Sequence, residues 1–132
     1  MAYGNISAIG KLTLGTNVSM SNNIALMDDN NIVMLCDDIV LSGTHSASDT
    51  LLTLPDSSMF PTSDITLLVC CLPTSGSRTT RVLIVDSSGN IKCTNPSAGT
   101  YYLRGYMWHN NGRYYSSSIG NIGGFTSPLD AR

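Results

Sequence analysis

The chain is expected to be all-β, on three observations. It contains no glutamate, no glutamine and only two lysines, Lys11 and Lys92, so the residues with which helices cover their solvent faces are nearly missing. Ser, Thr, Asn and Gly make up roughly 40% of the residues, and these populate turns, bulges and strand surfaces. Short apolar runs alternate with turn-forming clusters, the spacing of an antiparallel sandwich or a closed barrel. At 132 residues, one domain around one core is expected.

The first 22 residues are polar and rich in Gly, Asn and Ser, with one short alternating run at 11–14 (KLTL). Next, the runs 24–27 (IALM) and 32–35 (IVML) flank Asp28-Asp29-Asn30-Asn31, which predicts a β-hairpin. Residues 1–40 are accordingly expected to form an N-terminal arm or attachment segment carrying that hairpin. Asp37-Asp38 breaks the chain before 39–41. Further strands are expected at 50–54, 65–72, 80–86, 90–94 and 100–108, separated by clusters such as Pro55-Asp56-Ser57-Ser58 and Pro73-Thr74-Ser75-Gly76. Asp86-Ser87-Ser88-Gly89 should close a tight hairpin. Asn111-Gly112 predicts a type I′ turn folding Arg113, Tyr114 and Tyr115 back along Tyr106, Met107 and Trp108. The head is thus expected to span 41–118, and the Gly-rich segment 119–132 to be an extended C-terminal arm.

Only 12% of the residues are charged, about half the usual share. Much of the surface is therefore neutral-polar or covered in an oligomer. A net charge of −2 without a basic cluster argues against a nucleic-acid partner. The longest apolar run, 65–72, falls far short of the ~18–20 residues of a membrane span, so no membrane insertion is expected. The N-terminus lacks a basic start followed by an apolar stretch, so no secretory signal is expected either. Cys36, Cys70, Cys71 and Cys93 have no zinc-ligand spacing and are expected to be reduced, with a Cys36–Cys93 or Cys70–Cys93 bridge left open. The adjacent Cys70 and Cys71 should point to opposite faces of a strand, one into the core and the other onto a second buried face.

Acid–base chemistry in this chain would rest on nine Asp and two His, and no motif gathers them. There is no GxSxG nucleophile turn, and Gly120-Asn121-Ile122-Gly123-Gly124 matches neither phosphate-binding glycine pattern. No catalytic residue, cofactor or metal is therefore assigned, and the chain is expected not to be an enzyme. The doublets Asp28-Asp29 and Asp37-Asp38 suit turns better than a Ca²⁺ loop, and His45 and His109 have no paired ligand spacing.

Two surfaces remain. Trp108, His109, Asn110, Asn111 and Arg113 combine the single Trp with hydrogen-bonding groups at the expected hairpin tip, the chemistry of a saccharide site. The competing reading is that Trp108 packs in the core or against a subunit neighbour. Strict alternation over 101–108 would put Tyr102, Arg104, Tyr106 and Trp108 on one face. An Arg among aromatics is typical of an interface, so Tyr102, Arg104 and Tyr106 are the candidate subunit contacts.

The run Gly43-Thr44-His45, Leu54-Pro55 and Phe60-Pro61 resembles a pattern of bacteriophage receptor-binding heads. The strand–turn–strand from Val82 through Ser87-Ser88-Gly89 to Ile91, and the closing Tyr101-Tyr102-Leu103-Arg104-Gly105-Tyr106, extend that resemblance over about residues 41–108. It implies a jelly-roll β-sandwich likened to tumour-necrosis-factor domains, packed as a homotrimer, made in the host cytoplasm and carried on the virion as a fibre or receptor-binding component. Its partners would be copies of itself, other virion proteins and a host-surface saccharide. Such heads usually follow a long stalk, whereas here about 40 non-helical residues precede the match. The alternative is a capsid-decorating or tail structural protein that binds only other virion proteins.

Overall fold

The computed structural model describes residues 5–112 and the backbone of a strand at 114–115. Among these residues the structure is two β-sheets and one 3₁₀ turn, Ser57–Met59. The smaller sheet has the order β1-β4-β5-β12, from β1 (Ile6–Lys11), β4 (Ile24–Asp28), β5 (Ile32–Leu35) and β12 (Met107–His109). The larger runs β2-β7-β10-β9-β8-β11-β6-β3. Its strands are β2 (Thr13–Leu14), β3 (Val18–Ser19), β6 (Ile39–Leu41), β7 (Leu52–Thr53), β8 (Ile65–Pro73), β9 (Thr79–Val85), β10 (Asn90–Cys93) and β11 (Gly99–Tyr101). A last strand, β13 (Tyr114–Tyr115), pairs in parallel with β8. The remaining pairs are antiparallel, and the architecture is that of the jelly-roll-like β-sandwich expected.

Alternation drives the sandwich. In β4 and β5 the inward residues are Ala25, Met27, Val33 and Leu35; in β8 they are Ile65, Leu67, Val69 and Cys71. These faces meet in a single core with Ile39, Leu41, Leu83, Val85, Ile91, Tyr101 and Trp108.

Two hairpin turns use one device. Asp28 Oδ1 accepts from the N–H groups of Asn30 and Ile32, both at 2.9 Å, and Asp86 Oδ1 accepts from Ser88 and Asn90 at 2.9 and 3.0 Å. The third residue after each Asp is left-handed, Asn31 at φ 64° and Gly89 at φ 79°. The carboxylate replaces the backbone pairing that the turn gives up. Asn31→Val, a β-branched residue in the same left-handed position, should cost about 1–2 kcal/mol, while Asn31→Gly should be neutral or stabilising. Urea unfolding midpoints of the two variants check this.

Three expectations are corrected. First, residues 6–41 are no arm. They supply β1 to β6, and Ala8, Leu12, Val18, Ala25 and Met27 are buried in the common core. The apolar signal was diluted because β1, β2 and β3 are edge strands with one inward residue each at most. Second, 100–108 is not one strand. A turn at Leu103–Tyr106, closed by Tyr106 N–H to Leu103 O (2.9 Å) with Gly105 at φ 73°, carries the chain from the large sheet to the small one. Third, Asn111-Gly112 makes no type I′ turn. Neither residue has positive φ, β12 pairs with β5, and β13 pairs with β8 instead of with β12. The C-terminal arm expected at 119–132 lies outside the described residues.

One topological feature positions much of the surface. β2 and β3 occupy opposite edges of the large sheet, yet only residues 15–17 connect them. The 42–51 loop from β6 to β7 makes the same crossing. The two edges therefore come together at a seam where these connections cross: Gly15 N–H to Leu51 O (2.8 Å) continues the β2–β7 pairing on one side, Ser42 N–H to Asn17 O (3.0 Å) continues the β3–β6 pairing on the other, and Val18 N–H to Gly15 O (3.3 Å) closes the turn between them. A side chain at Gly15 would place its Cβ 2.2 Å from Thr50 O, so the two connections lie this close beside the β2–β7 pair only because residue 15 is glycine.

Candidate functional site

The expected saccharide constellation does not assemble. Trp108 pairs with Val33 across β12 and β5, and its ring is fully buried. A sugar cannot stack on it. Asn110 is buried too, its amide donating to Ser58 O (3.1 Å) while its N–H bonds Asn31 O (3.0 Å). It ties the 109–112 turn to the β4–β5 hairpin and to the 3₁₀ turn. Of the five residues, His109 and Asn111 keep solvent access, and His109 Nδ1 accepts from the Asn111 N–H (3.2 Å). Arg113 lies outside the described residues.

The expected subunit contacts divide likewise. Tyr106 faces the core, and its hydroxyl donates to Leu68 O, in the stretch of β8 between the part paired by β13 and the part paired by β11. It completes the backbone bonding of that strand edge and cannot reach another subunit. The cause is the corner at Gly105, which breaks the alternation and turns Tyr106 and Trp108 inward with Tyr101 and Leu103.

Tyr102 and Arg104 do sit at the surface, on the outer side of the large sheet. The Arg78 guanidinium lies 4.9 Å above the Tyr102 ring, and its Nη1 is 3.8 Å from Cys70 Sγ. Cys70 is thereby buried on the outer face while Cys71 enters the core, the division its strand position predicts. All four cysteines are free thiols, and burial pushes the Cys71 and Cys93 thiols up, which makes them poor nucleophiles. Beside this cluster, Thr100 pairs with both Val40 and Leu72, whose apolar side chains are 43% and 37% exposed.

A groove of about 360 Å³ adjoins this row, walled by Met20, Val40, Thr100, Asp37, Asp38 and Arg104. Arg104 Nη2 meets Asp37 Oδ1 at 2.9 Å, and the Arg104 N–H donates to Asp38 Oδ1 at 2.8 Å. Asp37 also accepts from the N–H groups of Asn22 and Asp38, both at 2.8 Å. Burial raises this carboxyl, but those two hydrogen bonds and the guanidinium outweigh it and hold the group below the usual carboxylate range. Asp28, Asp37 and Asp38 are thus occupied in fastening turns, and the described residues contain no cluster of three or more metal-ligating side chains.

Because folding favours the charged form of Asp37, its stabilisation is complete above the unfolded-state value of roughly 4 and is lost as pH falls through the lower folded value. Asp37→Asn should therefore lower the melting temperature clearly at neutral pH, and by less and less as the pH falls below the ordinary carboxylate range and through the folded value. Thermal unfolding of both chains at neutral pH and at a series of acidic pH values checks the sign.

The seam forms a second, smaller cleft, lined by side chains of the 15–17 and 42–51 connections, with His45 at its base. Sequence spacing gave no reason to join Asn17 to His45 and Asp49. The hint available was local: glycines at 15 and 43 on either side of polar residues.

With this geometry, one solved structure superposes well. The receptor binding protein (gp15) of Listeria phage PSA aligns with a TM-score of 0.58 and 17% sequence identity, over 80% of this chain and 65% of that one. The chain shares a fold with a phage receptor-binding protein. It spans under two thirds of that protein's length, and at such identity the likeness is one of fold. No protein-family model and no curated protein matches the sequence.

Proposed function

We propose that the chain is a phage virion component whose β-sandwich is a receptor-binding head, assembled as a homotrimer and recognising a host-surface saccharide. Its work is binding without catalysis. The observation that carries this reading is the fold shared with a phage receptor-binding protein. The outer sheet face supports self-association, since exposed Val40 and Leu72 beside Tyr102 and Arg104 give an apolar centre with a polar rim. Cyclic symmetry is the usual way for one such patch to be closed off.

Purified chain added to host bacteria should saturate the receptor and block adsorption of the phage that carries it, and periodate oxidation of the cells should abolish its binding. Light scattering should give three times the chain mass of 14.1 kDa. A monomeric mass at micromolar concentration would refute the trimer. Failure to compete for adsorption would refute the receptor role and favour the second reading, a capsid-decorating or tail protein that contacts only other virion proteins. The exposed Ile6 and Ile9 on edge strand β1 suit that reading, because they offer a strand edge and apolar side chains to a protein neighbour.

A further inference from the structure

We propose that the cleft at the seam is a binding site for a neutral polyhydroxyl ligand, a single hexose or N-acetylhexosamine unit. This rests on the receptor-binding reading above and gives it a location other than the Trp108 turn. The cleft encloses about 250 Å³. That is slightly below the range of roughly 300–1,000 Å³ of clefts for drug-sized ligands, and suits one sugar ring. Its lining is Thr16, Asn17, Thr44, His45, Asp49 and Thr50. Every one of these side chains is polar, no Phe, Tyr or Trp is among them, and neither is any Lys or Arg.

His45 decides the chemistry. Its side chain is only 3% exposed, yet it lines the cleft. Nε2 lies 2.9 Å from Ser42 O, and since a carbonyl can only accept, Nε2 carries the proton. In the neutral ring Nδ1 is then a lone-pair acceptor, and it stands 3.7 Å from Asp49 Oδ2. Two acceptors converge on the same space, and hydroxyl donors satisfy both. Adjacent hydroxyls of a sugar can give one O–H to Nδ1 and the other to the carboxylate. Asp49 is held for this by the Ser46 N–H (2.9 Å) and hydroxyl (3.1 Å), which also keep its carboxyl below the usual range and so ionised.

The rest of the lining supplies the complementary groups. Thr16 and Thr44 hydroxyls and the Asn17 amide make no hydrogen bond within the described residues, so they remain available to ring oxygens and hydroxyls. The walls are fixed before any ligand arrives, by backbone bonds that hold the 15–17 and 42–51 connections to each other at both ends and by the close approach of Gly15 to Thr50. With no Lys or Arg in the lining, the Asp49 carboxylate also selects against anionic sugars.

The test is an amide-resolved NMR titration of the full chain with glucose, galactose, N-acetylglucosamine and glucuronic acid. At least one neutral sugar should shift the amides of 16–17 and 43–50, saturating with a Kd of about 1–10 mM, and glucuronic acid should bind more weakly than glucose. Thr44→Val and Asp49→Ala should each weaken binding by about tenfold or more, with the spectrum elsewhere unchanged. Thr44→Val keeps the test decisive if Asp49→Ala disturbs the loop. Absence of shifts with every probe, shifts confined to another surface, or unaltered binding by Thr44→Val overturns the site. The adsorption competition separates the two ideas. If wild type and both variants block phage equally, the receptor reading stands and this site falls; if the neutral sugars bind at the cleft and wild type blocks nothing, the site stands and that reading falls.

Discussion

Trp108→Ala should destabilise the chain by about 3–5 kcal/mol, as large aromatic truncations in a closed core do. Such a loss is a large part of the stability of a domain this size. The ring is fully buried on β12, opposite Val33, and joins the small sheet to the common core. Trp108→Phe should cost much less, since it keeps most of the apolar contact, and the indole Nε1 has no hydrogen-bond partner among the described residues. As the single Trp, residue 108 reports on itself: its emission should be blue-shifted in the native chain and move to the red on unfolding. Urea titrations followed by that signal for the parent and Phe chains, and by circular dichroism for the Ala chain, measure the order of stability. A folded, fully stable Ala variant would contradict the core assignment.

Gly99→Ala should cost about 3 kcal/mol or more, through backbone and not through lost contact. Gly99 has φ +152°, and a Cβ there would sit 2.4 Å from Leu72 O and 2.7 Å from Pro73 Cα. Both neighbours are main-chain atoms of the longest strand, so no side chain can swing away to make room. The residue also begins β11, which pairs with β8 on one side and β6 on the other. Moving it breaks the large sheet in its middle. Gly76→Ala is the control: its φ is also positive, at +126°, but nothing lies within 4 Å of the added carbon. Equal melting temperatures for the two variants would show that the close approach at Gly99 carries no weight.

What the sequence made legible was set by how local the cause is. The Asp28–Asn31 and Asp86–Gly89 turns were readable because a carboxylate, its acceptor role and a left-handed residue lie within five positions of one another. β8 was readable because it is long and apolar, and the opposite fates of Cys70 and Cys71 followed from the pleat alone. The corner at Gly105 leaves the alternation of residue types on either side of it unmarked. Strict alternation through a glycine put Tyr106 and Trp108 outside, and both candidate surfaces inherited that error. The edge strands β1, β2 and β3 carry little apolar signal because one side of each strand has no neighbour to pack against. The cleft was invisible for a further reason: the pairing of β3 with β6 brings Asn17 beside the segment that carries His45, and no window of sequence contains both.

The meeting of the two sheet edges at the seam also orders the events of folding. Residues 15–17 and 42–51 can fasten the seam only after β7 has found β10 and β6 has found β11, since those pairings bring the two edges into place. The small sheet waits longer, because its fourth strand pairs Met107 with Met34 and arrives near the end of the chain. Contacts this distant in sequence pay for loop closure before they return any stabilisation, so the domain should fold slowly for its size, in milliseconds to seconds. A nascent chain that has left the ribosome only as far as β11 holds a core without its tryptophan and a small sheet in which β5 is paired with β4 but open on its other edge. In that interval the short edges β2 and β3, two residues each, present little for another chain to extend.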